Sequence, residues 1–244
     1  MKKVILFAAG LLTVSMANAQ VGFGVLGGVN ANNQIDHYQG ESVSNQLKVG
    51  FHVGGIVDFA LNENWSIQPG LMYIMKGGLQ ERSAEMNTEI GMLRTEVKDK
   101  LSLSYVEMPV NVVYKVPMNN GGALMFGAGG YAATLLEAHT VYSYKATING
   151  EDVDAMTQGG KAKVAVGDDS NDQIHRFDFG ATGMLGYKMA NGWFVRGGVD
   201  VGLFDIIRAN NTNGFANSQP NTTAASANPE SKNISYLLSV GYIF

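Results

Sequence analysis

The chain has no cysteine. Disulfides, thiolate metal sites and cysteine nucleophiles are therefore excluded, and so is lipoprotein processing at a lipidated cysteine. Beyond the first residues, no apolar run approaches the ~20 residues that a membrane-spanning helix needs. Charged residues make up 16% of the chain, and the mean hydropathy is -0.00. Such an average suits a soluble protein, but it equally suits a membrane barrel, whose hydrophobicity is spread over alternate residues. Basic residues are few. Without Lys2 and Lys3 there are 15 against 21 acidic ones, a net charge of -6, which is no electrostatic footprint for nucleic acid. Phosphate-loop, dinucleotide, zinc and thiol motifs are all missing, so no cofactor and no metal is expected.

What is present lies first at the two ends. Lys2-Lys3, an apolar run over Val4 to Val14 and the small-residue site Ala17-Asn18-Ala19 compose a secretory signal peptide over residues 1–19. The mature chain would start at Gln20, and its roughly 225 residues fit one barrel domain over 20–244. At the other end, Ile234, Tyr236, Leu238, Val240, Tyr242 and Phe244 fall on one face of a strand, opposite Ser235, Ser239 and Gly241. Lipid touches one face of a membrane barrel strand and the lumen touches the other, so this alternation marks an outer-membrane strand. Phe244 is the expected assembly signal, read by the barrel assembly machinery through the C-terminal strand.

Period-two alternation and turn residues predict eight strands, near 21–31, 48–61, 65–77, 101–116, 123–136, 176–189, 193–206 and 234–244. The connections 62–64, 117–122 and 190–192 are short, whereas 32–47, 78–100, 137–175 and 207–233 are long. Short periplasmic turns alternating with long extracellular loops are the habit of outer-membrane barrels. The fold expected is therefore all-β, an eight-stranded antiparallel up-and-down transmembrane β-barrel in the cell outer membrane, with both termini periplasmic. Residues 81–98 carry mixed charge and would either extend a hairpin or form a short helix. The fifth strand is too rich in Gly and Ala to assign its faces. Pro69 and Pro109, in neighbouring strands, should interrupt the ladder, since neither has an N–H to donate.

At this point the chain resembles the PorT-like outer-membrane β-barrel family of Gram-negative bacteria. The resemblance spans essentially all of the mature chain. It rests on Gly27-Gly28-Val29-Asn30, Gln68-Pro69-Gly70-Leu71-Met72-Tyr73 with Lys76-Gly77, Tyr105-Val106-Glu107-Met108-Pro109 and Ser239-Val240-Gly241-Tyr242-Ile243-Phe244. Where this chain has Gly70 the family often has an acidic residue, and the 137–175 connection is longer than usual. Founding members are linked to assembly of a protein-secretion machine, which makes an accessory role in a secretion or transport assembly one alternative for this chain.

Strand parity points ten charges into the lumen: Lys48, Lys76, Lys115, Arg176, Lys188 and Arg196 against Asp58, Glu107, Asp178 and Asp200. A barrel of about eight strands has an interior that side chains can fill. Buried charges must be paired, so a salt-bridged, non-conducting plug is expected. Two aromatic belts are also expected, the periplasmic one from Phe59, Trp65, Tyr114, Tyr187, Trp193, Tyr242 and Phe244. Asp36-His37, Glu137/His139 and His175 lie in outer loops or at a strand mouth. A Ser/His/acid group at the rim would make an outer-membrane enzyme acting on lipid or peptide, but no nucleophile is marked by its context. His52 belongs to the lumen. The oxygen-rich run Gly167-Asp168-Asp169-Ser170-Asn171-Asp172 lacks the spacing of a calcium loop and reads as solvated. The leading expectation is a non-enzymatic barrel that contacts outer-membrane lipid and offers its long loops to an unknown protein partner.

Overall fold

A computed structural model of the chain describes residues 21–38, 41–44, 46–89, 91–154, 157–167, 174–205 and 230–244. The expected signal peptide, most of 207–233 and the acidic run 168–172 lie outside the described residues. Twelve strands are present: β1 (Val21–Tyr38), β2 (Glu41–Ser44), β3 (Lys48–Ala60), β4 (Trp65–Lys76), β5 (Leu79–Thr88), β6 (Gly91–Pro117), β7 (Ala123–Ile148), β8 (Glu151–Asp152), β9 (Gln158–Lys163), β10 (Phe177–Lys188), β11 (Trp193–Gly202) and β12 (Glu230–Ile243). Eight of them close a ring in the order β6-β4-β3-β1-β12-β11-β10-β7, with β7 pairing back onto β6. Every pairing in the ring is antiparallel. Closure leaves no open strand edge at membrane depth, as the lack of water there requires.

Alternation sets the two surfaces. Outward residues are apolar and exposed, such as Val25 at 53%, Leu71 at 56%, Met108 at 55% and Leu238 at 55%. A soluble monomer does not expose a continuous apolar girdle of this kind. The described N-terminal residues and the C-terminus meet at the end that carries the short turns, where the Phe244 amide donates to the Phe23 carbonyl. That end is periplasmic in barrels of this type.

The interior is filled in layers. At the periplasmic end Leu26, Ile56, Met72, Val113, Met125, Phe194 and Ile243 form one apolar cluster. At the outer end Ile74, Leu103, Tyr105, Tyr131, Ala133 and Leu135 contribute to a second. Glycines face the largest interior side chains. A Cβ at Gly180 would lie 2.6 Å from Cζ of Tyr131, and one at Gly28 would lie 2.9 Å from the His52 ring. This pairing of small with large lets a narrow barrel fill closely.

Four strands stand outside the ring. β6 and β7 run 27 and 26 residues, far beyond the roughly 9–11 that cross a bilayer. Their outer halves pair with β5 on one side and with β8 and β9 on the other. The connections 78–100 and 137–175 are thus largely sheet, and the open choice over 81–98 falls to the hairpin. Its residues alternate charged with apolar, which suits a strand, and the charges of β5 and β6 meet across the ladder. A bulge marks the rim, where Ser104 pairs with Glu137 and Tyr105 with Leu135, leaving Leu136 as the extra residue. At the prolines, β4 loses its pairing with β6 between Pro69↔Val110 and Met72↔Glu107. It loses its pairing with β3 between Ile56↔Gly70 and Phe59↔Ile67. The register is the same on both sides of each gap, so the ladder is interrupted without a bulge.

Candidate functional site: the lumen charges and the outer rim

Midway up the lumen Lys76 is fully buried, with Nζ 2.7 Å from Glu107 Oε2 and 3.7 Å from Asp178 Oδ2. The ammonium also lies 4.1 Å from the Tyr131 ring centroid and 5.6 Å from that of Tyr105. Asp178 is held from the other side by the Asn233 amide, 3.0 Å away, and by the Tyr131 hydroxyl at 3.3 Å. The cation therefore sits in an aromatic and carboxylate box with no route to solvent. A second ion pair closes the periplasmic end, where Lys115 Nζ reaches Asp58 Oδ2 at 2.5 Å and Gln68 donates to Asp58 Oδ1 at 3.2 Å.

The remaining charges depart from the expected interleaving. Arg176 is exposed, one residue before β10 begins, and its guanidinium donates to the Val166 carbonyl at 3.4 Å. It lies above the rim, where strand parity no longer means lumen. Arg196 and Asp200 are both buried and line one cavity of about 20 Å³. They make no ion pair among the described residues; Arg196 packs beside the Phe194 ring and the Met184 sulfur. Lys48 is buried but donates to the Lys76 carbonyl at 2.8 Å, not to an acid. Lys188 is half-buried, with no ion pair among the described residues.

His52 connects Asn30 to Ser239. Its Nε2 is 2.8 Å from Ser239 Oγ and its Nδ1 is 3.4 Å from Asn30 Oδ1. The arrangement has the connectivity of a hydrolytic triad, but all three groups are buried. The cavity that Ser239 lines is water-sized, so no ester or peptide reaches it. The sequence pattern assigns no lumen role to Tyr131, and Tyr105 enters only through the motif Tyr105-Val106-Glu107-Met108-Pro109. Tyr105 shares its parity with Glu107 and was legible for that reason. Tyr131 lies in the Gly/Ala-rich strand, whose faces gave no signal.

The lipid-facing aromatics gather at both ends. Trp65 packs on Tyr114 at 4.8 Å, Trp193 on Tyr242 at 5.5 Å, and Tyr242 on Phe244 at 5.1 Å. Phe59 and Tyr187 are half-buried beside the same turns, and the Asn120 amide donates to the Tyr187 hydroxyl. At the outer end Phe51 meets Tyr73, and Phe179 meets Phe177 and Phe204. At the rim, His139 Nε2 is 3.2 Å from Glu137 Oε1, and Lys163 is 3.6 Å from the same oxygen. No cluster able to hold a metal exists among the described residues.

An apolar outer girdle, a closed antiparallel ring and aromatic ends define an integral outer-membrane barrel. Residues 16–208 match the outer membrane protein beta-barrel domain family, and the chain belongs to that family. Its place is the cell outer membrane. Among solved structures the chain is similar to Neisserial surface protein A (10% identity, 92% of this chain and 99% of that one, TM-score 0.37). It is also similar to the attachment invasion locus protein Ail of Yersinia pestis (11%, 91% and 99%, TM-score 0.33). A third similar structure is the outer membrane protease OmpT of Escherichia coli (10%, 94% and 98%, TM-score 0.32). No curated protein matches.

Proposed function

We propose that this protein is a non-enzymatic outer-membrane barrel with a closed lumen, and that it works through the sheet it projects outside the cell. The observation that carries this reading is the contrast between its two parts. Inside, Lys76, Glu107 and Asp178 are sealed between apolar layers. Outside, the sheet of β5, β6, β7 and β9 has two unlike faces. One bears Glu81, Lys98, Glu85 and Arg94, joined in cross-strand ion pairs. The other mixes Ala84, Met86, Leu93 and Val97 with Gln80, Thr95 and Asp99, and Met86 there is 65% exposed. A sheet outside the membrane with one ion-paired face and one mixed face that carries exposed apolar residues suits a protein partner.

The PorT-like resemblance supports a second reading, an accessory part of a secretion or transport assembly. Lys76, Tyr105 and Glu107, which stand in the resembling motifs, converge on one ion pair. Gly70 and Pro109 also meet, with a Cβ at Gly70 falling 3.2 Å from the proline ring. The motifs thus describe how the lumen is packed, so they favour a shared scaffold more than a shared partner.

Purified barrel in planar lipid bilayers should give no stable single-channel steps, and it should not hydrolyse lipid or peptide substrates. Reproducible ion-selective conductance would replace the closed reading with a pore. Turnover lost in His139→Ala would replace it with a rim enzyme.

A further inference from the structure

The outward face of β6 carries one continuous stripe. From the periplasmic side it reads Tyr114, Val112, Val110, Met108, Val106, then Ser104, Ser102, Lys100 and Lys98. Eight residues separate Tyr114 from Val106. At about 3.4 Å each and a tilt of about 40° that is roughly 20 Å, close to the ~25 Å height of the apolar band. Polarity begins at Ser104, whose Oγ accepts from the Tyr73 hydroxyl at 3.0 Å. Lys100 therefore stands about 10 Å beyond the hydrocarbon, at the depth of the outer-leaflet headgroups.

The ladder places more cations beside it on this face, within about 6 Å of that height for strands tilted by about 40°. Lys100 is opposite Val141, and Val141 is opposite Lys161; one row lower, Ser102, His139 and Lys163 align in the same way. Lys100 and Lys161 are thus two strands apart, about 10 Å, with a small apolar side chain between them. Their compensation differs from that of the sheet above. Arg94 pairs with Glu85 and Glu96, Lys98 with Glu81, and Lys145 with Asp152. Neither Lys100 nor Lys161 makes an ion pair among the described residues, and Lys163 shares Glu137 with His139. At about 10 Å and exposed, the two ammonium groups repel each other only weakly through screened solvent, and the gap between them over Val141 is open to an anion that both could reach. At this depth and facing outward, the anions available are lipid phosphates.

We infer that Lys100 and Lys161, flanked by Lys163, form a site for a phosphate-bearing headgroup of an outer-leaflet glycolipid, which would seat over Val141 and hold the projecting sheet against the membrane surface. The site fixes the height of the sheet and needs no lumen group.

The test uses the mature full-length barrel in detergent, with lipid A and chemically dephosphorylated lipid A as probes and native mass spectrometry as the readout. The wild type should bind lipid A about tenfold or more tightly than the dephosphorylated form. Lys100→Gln/Lys161→Gln should abolish that difference, whereas Lys145→Gln, whose partner is Asp152, should keep it. Folding is checked by heat-modifiable mobility. Should the double variant misfold, Lys161→Gln on the edge strand serves alone, and should reduce the difference. Equal binding of the two lipids, an undiminished preference in the folded variant, or displacement of lipid A by millimolar inorganic phosphate would each overturn the inference.

Discussion

Replacing Lys76 by methionine removes the one cation at the centre of the lumen while roughly keeping its length. Glu107 is fully buried at 2.7 Å from that ammonium, and Asp178 is buried at 3.7 Å. Breaking a buried pair by deleting one partner costs about 3–5 kcal/mol, because the other charge stays behind unpaired. The lost contact with the Tyr131 face adds up to about 2 kcal/mol when fully desolvated. Lys76→Met should therefore destabilise by about 3–7 kcal/mol. Adding Glu107→Gln should recover much of this, since the carboxylate nearest the lost ammonium becomes neutral and Asp178 keeps its Asn233 and Tyr131 donors. The expected coupling is about 2 kcal/mol in the double-mutant cycle. Reversible urea unfolding in phosphatidylcholine vesicles can measure it. Trp65 and Trp193, on the outer surface at 44% and 48% exposure, report the loss of lipid contact by fluorescence. A Lys76→Met loss below about 1 kcal/mol, or a double variant weaker than Lys76→Met alone, would refute the account of the lumen as a paired plug.

Two further outcomes follow from packing and from the chain end. Gly180→Ala should destabilise by about 1–3 kcal/mol or more, because its Cβ would press on the Val201 carbonyl and the Tyr131 ring, while Gly27→Ala, with nothing nearer than 3.6 Å, should be close to neutral in the same unfolding assay. Phe244→Ala removes an aromatic that is 76% exposed and packs on Tyr242; it should slow assembly in cells, read as heat-modifiable barrel per total protein, and an unchanged folded fraction would remove Phe244 as the assembly signal.

The ring of eight strands was legible because each strand had to satisfy lipid on one face and a packed lumen on the other. β12 is the clearest case, with Tyr236, Leu238 and Val240 outside and Ser235 and Ser239 buried. The sheet outside the membrane was harder to read. There, neither face is bound to be wholly apolar, and the pattern over 81–98 becomes decisive only when β5 is laid against β6. The pairing of lumen charges was illegible for a different reason. Parity gives the direction of a side chain, whereas partners across a closed barrel depend on height, and height depends on strand stagger. Arg196 stands opposite Ser239 and Asp200 opposite Ser235, so these two residues on the inward face of β11 are four positions apart and do not pair. Arg176 fails for the same reason at the rim, where the lumen ends before the parity does.

This separation of direction from height also bears on where function can reside. Lumen charges are fixed by closure. Each faces inward because a charge facing lipid at mid-membrane costs roughly 2–4 kcal/mol, and each is then left to an opposite charge within reach or a neutral hydrogen-bond partner, as the Lys48 ammonium donates to the Lys76 carbonyl. Such charges are explained by the fold without any ligand. Charges beyond Ser104 face no such constraint, since water surrounds them and the strands could carry any polar residue. Most of those on the outer sheet are nonetheless paired across strands. Lys100 and Lys161 are not, and they flank Val141 in one row of the sheet near the depth where the membrane itself presents anions. Folding does not demand that arrangement, so it is in that row, and not in the lumen, that selection for contact with the outer leaflet should be sought.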